Sequence, residues 1–255
     1  MKKIVKKILA LLGFKKLYKA FLSIQYKNLF NPGLAGVFTN PFYFARKNLF
    51  SQMKTLSSNI IGNVLDIGCG TKPYQNLFPC KSYTGLEIDT PEMRKVSEIE
   101  YFYDGHTFPF KNETYDSIIC NQTLEHVFNP DEFLEETNRV IKRGGKILLT
   151  IPFVWDEHSQ PYDYARYSSF GLAHLMKNHS FKIIEQRKSV NTIAVIFQMI
   201  NCYLYKKINT RFYFLNFFLV LILTSMVNIA GIIAEKILPK NDDLYLDNVI
   251  LAQKI

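Results

Sequence analysis

Two short stretches hold residue types that can do chemistry together. The first, Val64-Leu65-Asp66-Ile67-Gly68-Cys69-Gly70-Thr71, is an apolar run ending in an acid and two near-adjacent glycines. That pattern predicts a buried strand breaking into a tight turn, where a ligand can approach bare backbone. The second, Tyr83-Thr84-Gly85-Leu86-Glu87-Ile88-Asp89, ends its apolar run in Glu87, placed to accept hydrogen bonds from a ribose diol. Together they point to an adenosine cofactor. A dinucleotide would want a third glycine beneath its pyrophosphate, but the loop runs on as Gly70-Thr71-Lys72-Pro73-Tyr74, which argues against a pyrophosphate cradle. Further along, residues 155–167 are a dense polar and aromatic run beyond an apolar strand, where α/β folds put chemistry. His158 lies in it and is the candidate general base, because imidazole is poised near neutral pH.

Five blocks in order resemble the class I S-adenosylmethionine-dependent methyltransferases, in particular the small-molecule and glycan "type 11" kind. Leu65-Asp66-Ile67-Gly68-Cys69-Gly70-Thr71 reads like their first motif, and Glu87 is placed like the acid that ends the second. Tyr103-Asp104-Gly105 with Phe108-Pro109-Phe110, then Tyr115-Asp116-Ser117-Ile118-Ile119-Cys120 with Leu124-Glu125-His126-Val127, follow as the third and fourth motifs. Gly144-Gly145-Lys146-Ile147-Leu148-Leu149 matches the turn into the fifth strand, so the likeness covers residues 59–185. It implies S-adenosylmethionine as cofactor, with Asp66, Gly68 and Gly70 bordering the methionine moiety, Glu87 the ribose, Asp104 the adenine amino group and Asn121 beneath. Methyl transfer is an in-line displacement, so the protein must hold donor and acceptor in register and remove the acceptor's proton. Arg46, on a helix that in the family often lines the cofactor mouth, and Asp163 and Arg166 are candidate substrate residues; the last two can equally pair with each other. Some methyltransferases hold a divalent metal with a pair like Glu125-His126, but no further ligands are recognisable here and no metal is expected. Relatives with a His-x-x-Pro-x-Asp-Tyr-like loop, here His158 to Tyr164, are associated with bacterial surface glycans. The resemblance therefore implies an O-methyltransferase acting on a lipid-linked glycan, with quinone or phospholipid methylation, or a non-catalytic cofactor-binding scaffold, as alternatives.

These residues need an α/β frame. From Val64 onward short apolar runs alternate with helical stretches, the pattern of a doubly wound, Rossmann-like sheet of seven strands. A helix is expected over residues 129–143, with Asn129 as cap, Pro130 at its first position, acids in its first turn and Lys142-Arg143-Gly144 closing it. It should deliver the chain to a fifth strand at 146–151. Residues 182–187 and 246–253 read as the sixth and seventh strands, which in the family pair side by side, with an apolar helical insertion between them. The expected layout is a basic N-terminal segment (1–40), the methyltransferase core (41–188), a helical hairpin (189–240) and the last strand (241–255).

Charge and hydropathy separate the core from its appendages. The net charge is +9, yet no acid precedes Asp66 while eleven lysines and arginines do, so the basic character belongs to the N-terminal segment. Residues 1–21 fit one kinked or two short amphipathic helices with a lysine face, an arrangement suited to an anionic membrane surface and not to nucleic acid. Residues 212–234 carry no charge, while 189–205 are shorter and include Asn191, Gln198 and Asn201. One crossing would part the sixth strand from the seventh, and two would export Lys206, Lys207 and Arg211, so a hairpin in the cytoplasmic leaflet is expected. The four cysteines show no CxxC pairing, consistent with reduced thiols of a cytoplasmic protein.

Overall fold

The computed structural model describes residues 13, 16, 19–208 and 213–255, so most of the predicted N-terminal helix lies outside the described residues. The chain divides into two compact units, one of residues 48–191 with 241–255, the other of residues 1–47 with 192–240.

The first unit is built on a seven-stranded sheet of order β3-β2-β1-β4-β5-β7-β6. The strands are β1 (Gly62–Ile67), β2 (Cys80–Ile88), β3 (Tyr101–Tyr103), β4 (Tyr115–Asn121), β5 (Ile141–Pro152), β6 (Phe181–Ser189) and β7 (Asp247–Lys254). All neighbours run parallel except β7, which lies antiparallel between β5 and β6. Strands covered on both faces need continuous apolar runs, and Leu65, Ile67, Ile118, Ile119, Leu148 and Leu149 are fully buried accordingly. The chain leaves β1 for β2 on one side and returns to β4 on the other. Such a switch point opens a crevice at the carboxyl ends of these strands, where Gly68, Glu87 and Asn121 stand.

The helix after β4 spans Pro130–Val140, shorter than expected. Its start follows the expected chemistry: the Asn129 side chain accepts from the Glu132 N–H, and Asp131 and Glu132 occupy the positive first turn. Its end does not. Ile141 is fully buried and pairs with Tyr115, so burial draws it into β5 before the glycines are reached. Lys142 to Gly145 then bulge out of register, with Lys142 Nζ 2.7 Å from Asp116 Oδ1. β6 and β7 pair as expected, and the long excursion between them leaves and re-enters at one place. Asn241 N–H donates to Asn191 O at 3.1 Å and Leu246 N–H to Ser189 O at 2.9 Å.

In the second unit the insertion forms helices Ala194–Lys207 and Tyr213–Leu219, the latter continuing through a π turn, Val220–Thr224, into Ser225–Ile237. Its polar side chains point inward. Asn201 Nδ2 donates to Asn228 Oδ1 (2.8 Å), Asn228 Nδ2 to Val37 O (2.9 Å) and Gln198 Nε2 to Pro41 O (2.9 Å), and all three side chains are fully buried. Leu215, Phe218, Ile222, Met226, Ile229, Ile233 and Ile237 are exposed, at the three- and four-residue spacing of one helix face. Leu215–Ile237 is long and apolar enough to cross a membrane, by length and composition, with 28% of its most apolar window buried.

Candidate active site

The cofactor end of the crevice begins at the turn after β1. Gly68 takes φ +71°, and a Cβ there would lie 2.1 Å from Thr123 Oγ1, so the turn after β4 packs directly on bare backbone. Gly70 also takes a left-handed φ of +48°, but a Cβ there would meet nothing within 4 Å. Its N–H donates to Glu87 Oε2 at 3.0 Å, and Ile88 N–H donates to Oε1 at 3.0 Å, so two backbone donors fix this carboxylate at the crevice. Burial raises the Glu87 pKa against the lowering pull of those two donors. Asn121 Oδ1 accepts from Thr150 Oγ1 at 2.8 Å, which turns the amide at the end of β4.

Asp66 sits deeper. It is buried, accepts from Tyr83 Oη at 2.7 Å, and is pushed up to about pKa 7, chiefly by burial, with the Tyr83 hydrogen bond opposing. Asp104 is exposed, and its Oδ1 accepts from the N–H groups of His106 and Thr107 at 2.9 Å each, capping its own turn. Those donors hold its carboxyl below the usual range. Open space above Gly70, a fixed carboxylate at Glu87 and acids on both flanks fit the adenosine and cationic methionine ends of S-adenosylmethionine.

Lys72, one residue before Pro73, which stands where the third glycine would be, also takes a left-handed backbone, φ 51°. Its buried side chain turns under the loop to pair with Glu100, whose Oε2 also accepts the Gly85 N–H at 2.6 Å. A Cβ on Gly85 would lie 2.5 Å from Lys72 Cε, so that glycine makes room for the pair. The departure at Pro73 is visible in the sequence; the pairing of Lys72 with Glu100 carries no signal there.

The acceptor end is formed by the turn after β4 and the loop after β5. Tyr164 N–H and Ala165 N–H donate to Glu125 O at 2.8 and 3.2 Å, strapping the loop over the turn. Asp163 is the hub: both its oxygens bind Arg166, at 2.6 and 2.7 Å, and Oδ2 also accepts the His158 N–H at 2.9 Å. Burial alone would raise the Asp163 pKa, but the Arg166 and His158 contacts outweigh it and hold the carboxyl at about 2. Of the two readings left open by sequence, the structure thus gives Asp163 and Arg166 the ion pair. Arg46 lies in the other unit, its guanidinium 5.1 Å from the centre of the Phe30 ring.

His158 is half-buried, with Nδ1 3.3 Å from Asp163 Oδ2 and its ring 4.8 Å from the ring of His126. Burial lowers its pKa, Asp163 opposes and His126 assists, so the imidazole is neutral near pH 7. His126 Nδ1 donates to Tyr162 O at 2.6 Å, which turns Nε2 toward Glu125 Oε1, 3.9 Å away. Glu125 is fully buried, and neither carboxyl oxygen has a hydrogen-bond partner on another residue. Burial pushes its pKa up to about 8. The fold thus adds His158 to a Glu125-His126 pair for which the sequence offered no further ligand.

The family model described as a methyltransferase domain matches residues 65–149, the span from β1 through most of β5. Residues 65–149 are a methyltransferase domain. The core has the fold and the motif order of the class I S-adenosylmethionine-dependent methyltransferases, whose cofactor the crevice fits. Uncharacterized protein MJ1123 of Methanocaldococcus jannaschii is 37% identical over 106 residues, 40% of this chain and 50% of that protein. Thiol S-methyltransferase TMT1B of Rattus norvegicus is 28% identical over 132 residues, 46% of this chain and 51% of that protein. The chain spans about half the length of the curated relatives it matches first. Among solved structures, Haemonchus contortus phosphoethanolamine N-methyltransferase 2 in complex with S-adenosyl-L-methionine aligns with a TM-score of 0.54 at 18% identity, covering 86% of this chain and 55% of that one. At that identity the likeness is one of fold.

Proposed function

We propose that this protein transfers the methyl group of S-adenosylmethionine to a hydroxyl of a membrane-carried acceptor, with a lipid-linked glycan as the leading class. The observation that carries the choice of oxygen is the Glu125, His126 and His158 cluster at the acceptor end. The relatives named above act on a thiol and an amine by their names, but sulfur and neutral nitrogen nucleophiles need little help. A hydroxyl does need help, and the cluster is placed to give it. The cofactor supplies a methyl carbon made electrophilic by a sulfonium. The chain's own residues do the rest: the Gly68 to Gly70 turn and Glu87 hold the donor, the loop strapped to Glu125 O carries His158 to the acceptor end, and neutral His158, oriented by Asp163, takes the hydroxyl proton.

The membrane part of the proposal is supported by the hairpin, which buries its amides and exposes its aliphatic side chains, the reverse of a water-soluble helix pair. An exposed aromatic pair at the acceptor end, Phe128 and Tyr164 with ring centres 5.3 Å apart, suits an acceptor delivered on an apolar carrier. The hairpin and the lysine-rich first residues would act as two anchors on the cytoplasmic leaflet. The test is to incubate the full chain with methyl-labelled cofactor and either membranes or the soluble metabolite pool. Label in the organic-solvent extract of membranes is expected; label confined to soluble metabolites would overturn the membrane-carried acceptor.

A further inference from the structure

The geometry points to a divalent-cation site formed by Glu125, His126 and His158, which binds a first-row transition dication and through it the acceptor oxygen. The inference rests on the methyltransferase reading above and assigns to the ion the activation of the hydroxyl.

Four observations support it. One ligand atom from each of the three residues lies within 4.8 Å of the others. The Glu125 carboxyl is fully buried, is turned toward His126 Nε2 and lacks a hydrogen-bond partner on any other residue. A buried carboxyl normally finds a partner, and one turned toward imidazole nitrogens with none on another residue offers its charge to a cation. His126 has its tautomer fixed from behind, because Nδ1 donates to Tyr162 O at 2.6 Å and leaves the Nε2 lone pair facing Glu125. His158 is likewise backed by a carboxylate, Asp163, 3.3 Å from its Nδ1. Carbonyl and carboxylate partners behind ligating histidines are the usual outer support of a metal site.

Neighbouring tetrahedral ligands sit roughly 3.4 Å apart for bonds of about 2.1 Å, so loading the site asks about an ångström of side-chain rotation. His158, on the loop after β5, is the ligand best able to supply it. Two imidazoles and one carboxylate suit manganese, iron, cobalt or zinc better than magnesium or calcium, and they leave coordination positions open for one acceptor oxygen or a vicinal diol. Arg166 does not oppose the ion strongly, because its charge is matched by both oxygens of Asp163. The cluster also borders the donor: Thr123, two residues before Glu125, packs on Gly68.

In the step this implies, the acceptor hydroxyl binds the cation and loses its proton to solvent. The oxygen lone pair then forms the new bond to the methyl carbon while the carbon–sulfur bond breaks, its electron pair staying on sulfur. One proton leaves per methyl transferred, and the products are a methyl ether and S-adenosylhomocysteine. With the ion bound, His158 is a ligand rather than the proton acceptor.

The test uses the full chain, stripped with a chelator and titrated with manganese or zinc by calorimetry and by the spin-resonance signal of manganese. One equivalent should bind. Glu125→Gln and His126→Ala should each weaken binding by more than the roughly 10- to 100-fold that loss of an outer-shell partner costs. Glu125→Gln should still bind S-adenosylmethionine normally, which shows that it has folded. No binding of either ion, or unchanged binding in both variants, would overturn the site. Full methyl transfer after chelation would also overturn it while leaving the methyltransferase reading intact. One equivalent lost in both variants would support the site even if no acceptor were methylated, in which case the methyltransferase reading alone would fail.

Discussion

Gly70→Ala separates the fold from the ligand. Gly70 holds φ +48°, where an alanine costs about 1–2 kcal/mol relative to glycine, and its added Cβ would meet no protein atom within 4 Å. For a chain of this size that amounts to a melting point lower by roughly 2–8 °C. The Gly70 contact to the Glu87 carboxylate is donated by the backbone N–H and survives the change. The methyl group instead projects into the space assigned to the cofactor, and forcing one such group into a packed contact costs about 1–3 kcal/mol, or roughly 5- to 150-fold in affinity. Gly68→Ala should behave in the opposite way. Its Cβ would sit 2.1 Å from Thr123 Oγ1, so its main effect is on stability. Calorimetry with S-adenosylmethionine and thermal melts on both variants read the two effects separately. If Gly70→Ala binds the cofactor with wild-type affinity, the cofactor does not approach the turn as argued.

The remaining predictions concern charge, chemistry and anchoring. The folded Asp66 pKa of about 7 lies above its ordinary value, so the stability this group contributes is full below pH ~4 and is lost as pH rises through 7. Asp66→Asn should flatten that decline, read from denaturant midpoints at about pH 5 and pH 8; an unchanged slope would show that Asp66 is not the titrating group. His158→Ala should lower turnover by about a hundredfold or more with cofactor affinity near normal, whether the ring takes the proton or holds the ion; unchanged turnover, measured in single-turnover assays, would remove it from the site. Replacing Ile222, Ile229 and Ile233 with glutamate should release the protein from membranes that high salt does not strip, because it puts three charges on the exposed face of one helix. Retention of the triple variant in the membrane fraction would refute the hairpin as an anchor.

Local signals are legible in the sequence, and pairings made only in space are not. The glycine turn and Glu87 at the end of β2 follow from short motifs, because each depends on neighbouring residues, whereas the side-by-side β6 and β7 are what the family resemblance implies. The helix ends at Val140, before Lys142-Arg143-Gly144 with its helix-stop chemistry, because burial of Ile141 decides the boundary. The Asp163 hub and the approach of His158 to Glu125 depend on how the loop after β5 folds back over the turn after β4, and nothing in residue spacing encodes that. Gln198 and Asn201 read as flaws in an apolar run; in the fold they are buried and hydrogen-bonded, Gln198 to the Pro41 carbonyl and Asn201 to Asn228. Asp104, which the resemblance assigns to adenine, has its Oδ1 held by two backbone donors of its own turn, a local cap that residue spacing does not reveal.

The central claim is that this site moves a methyl group from S-adenosylmethionine to oxygen. Resonance spectroscopy of the product formed from membranes and a cofactor carrying an isotopically labelled methyl carbon tests it most directly. The account predicts a single labelled methyl in the chemical-shift range of an O-methyl ether, appearing together with an equal amount of S-adenosylhomocysteine. A signal in the S-methyl or N-methyl range, or consumption of no cofactor at all, would contradict it.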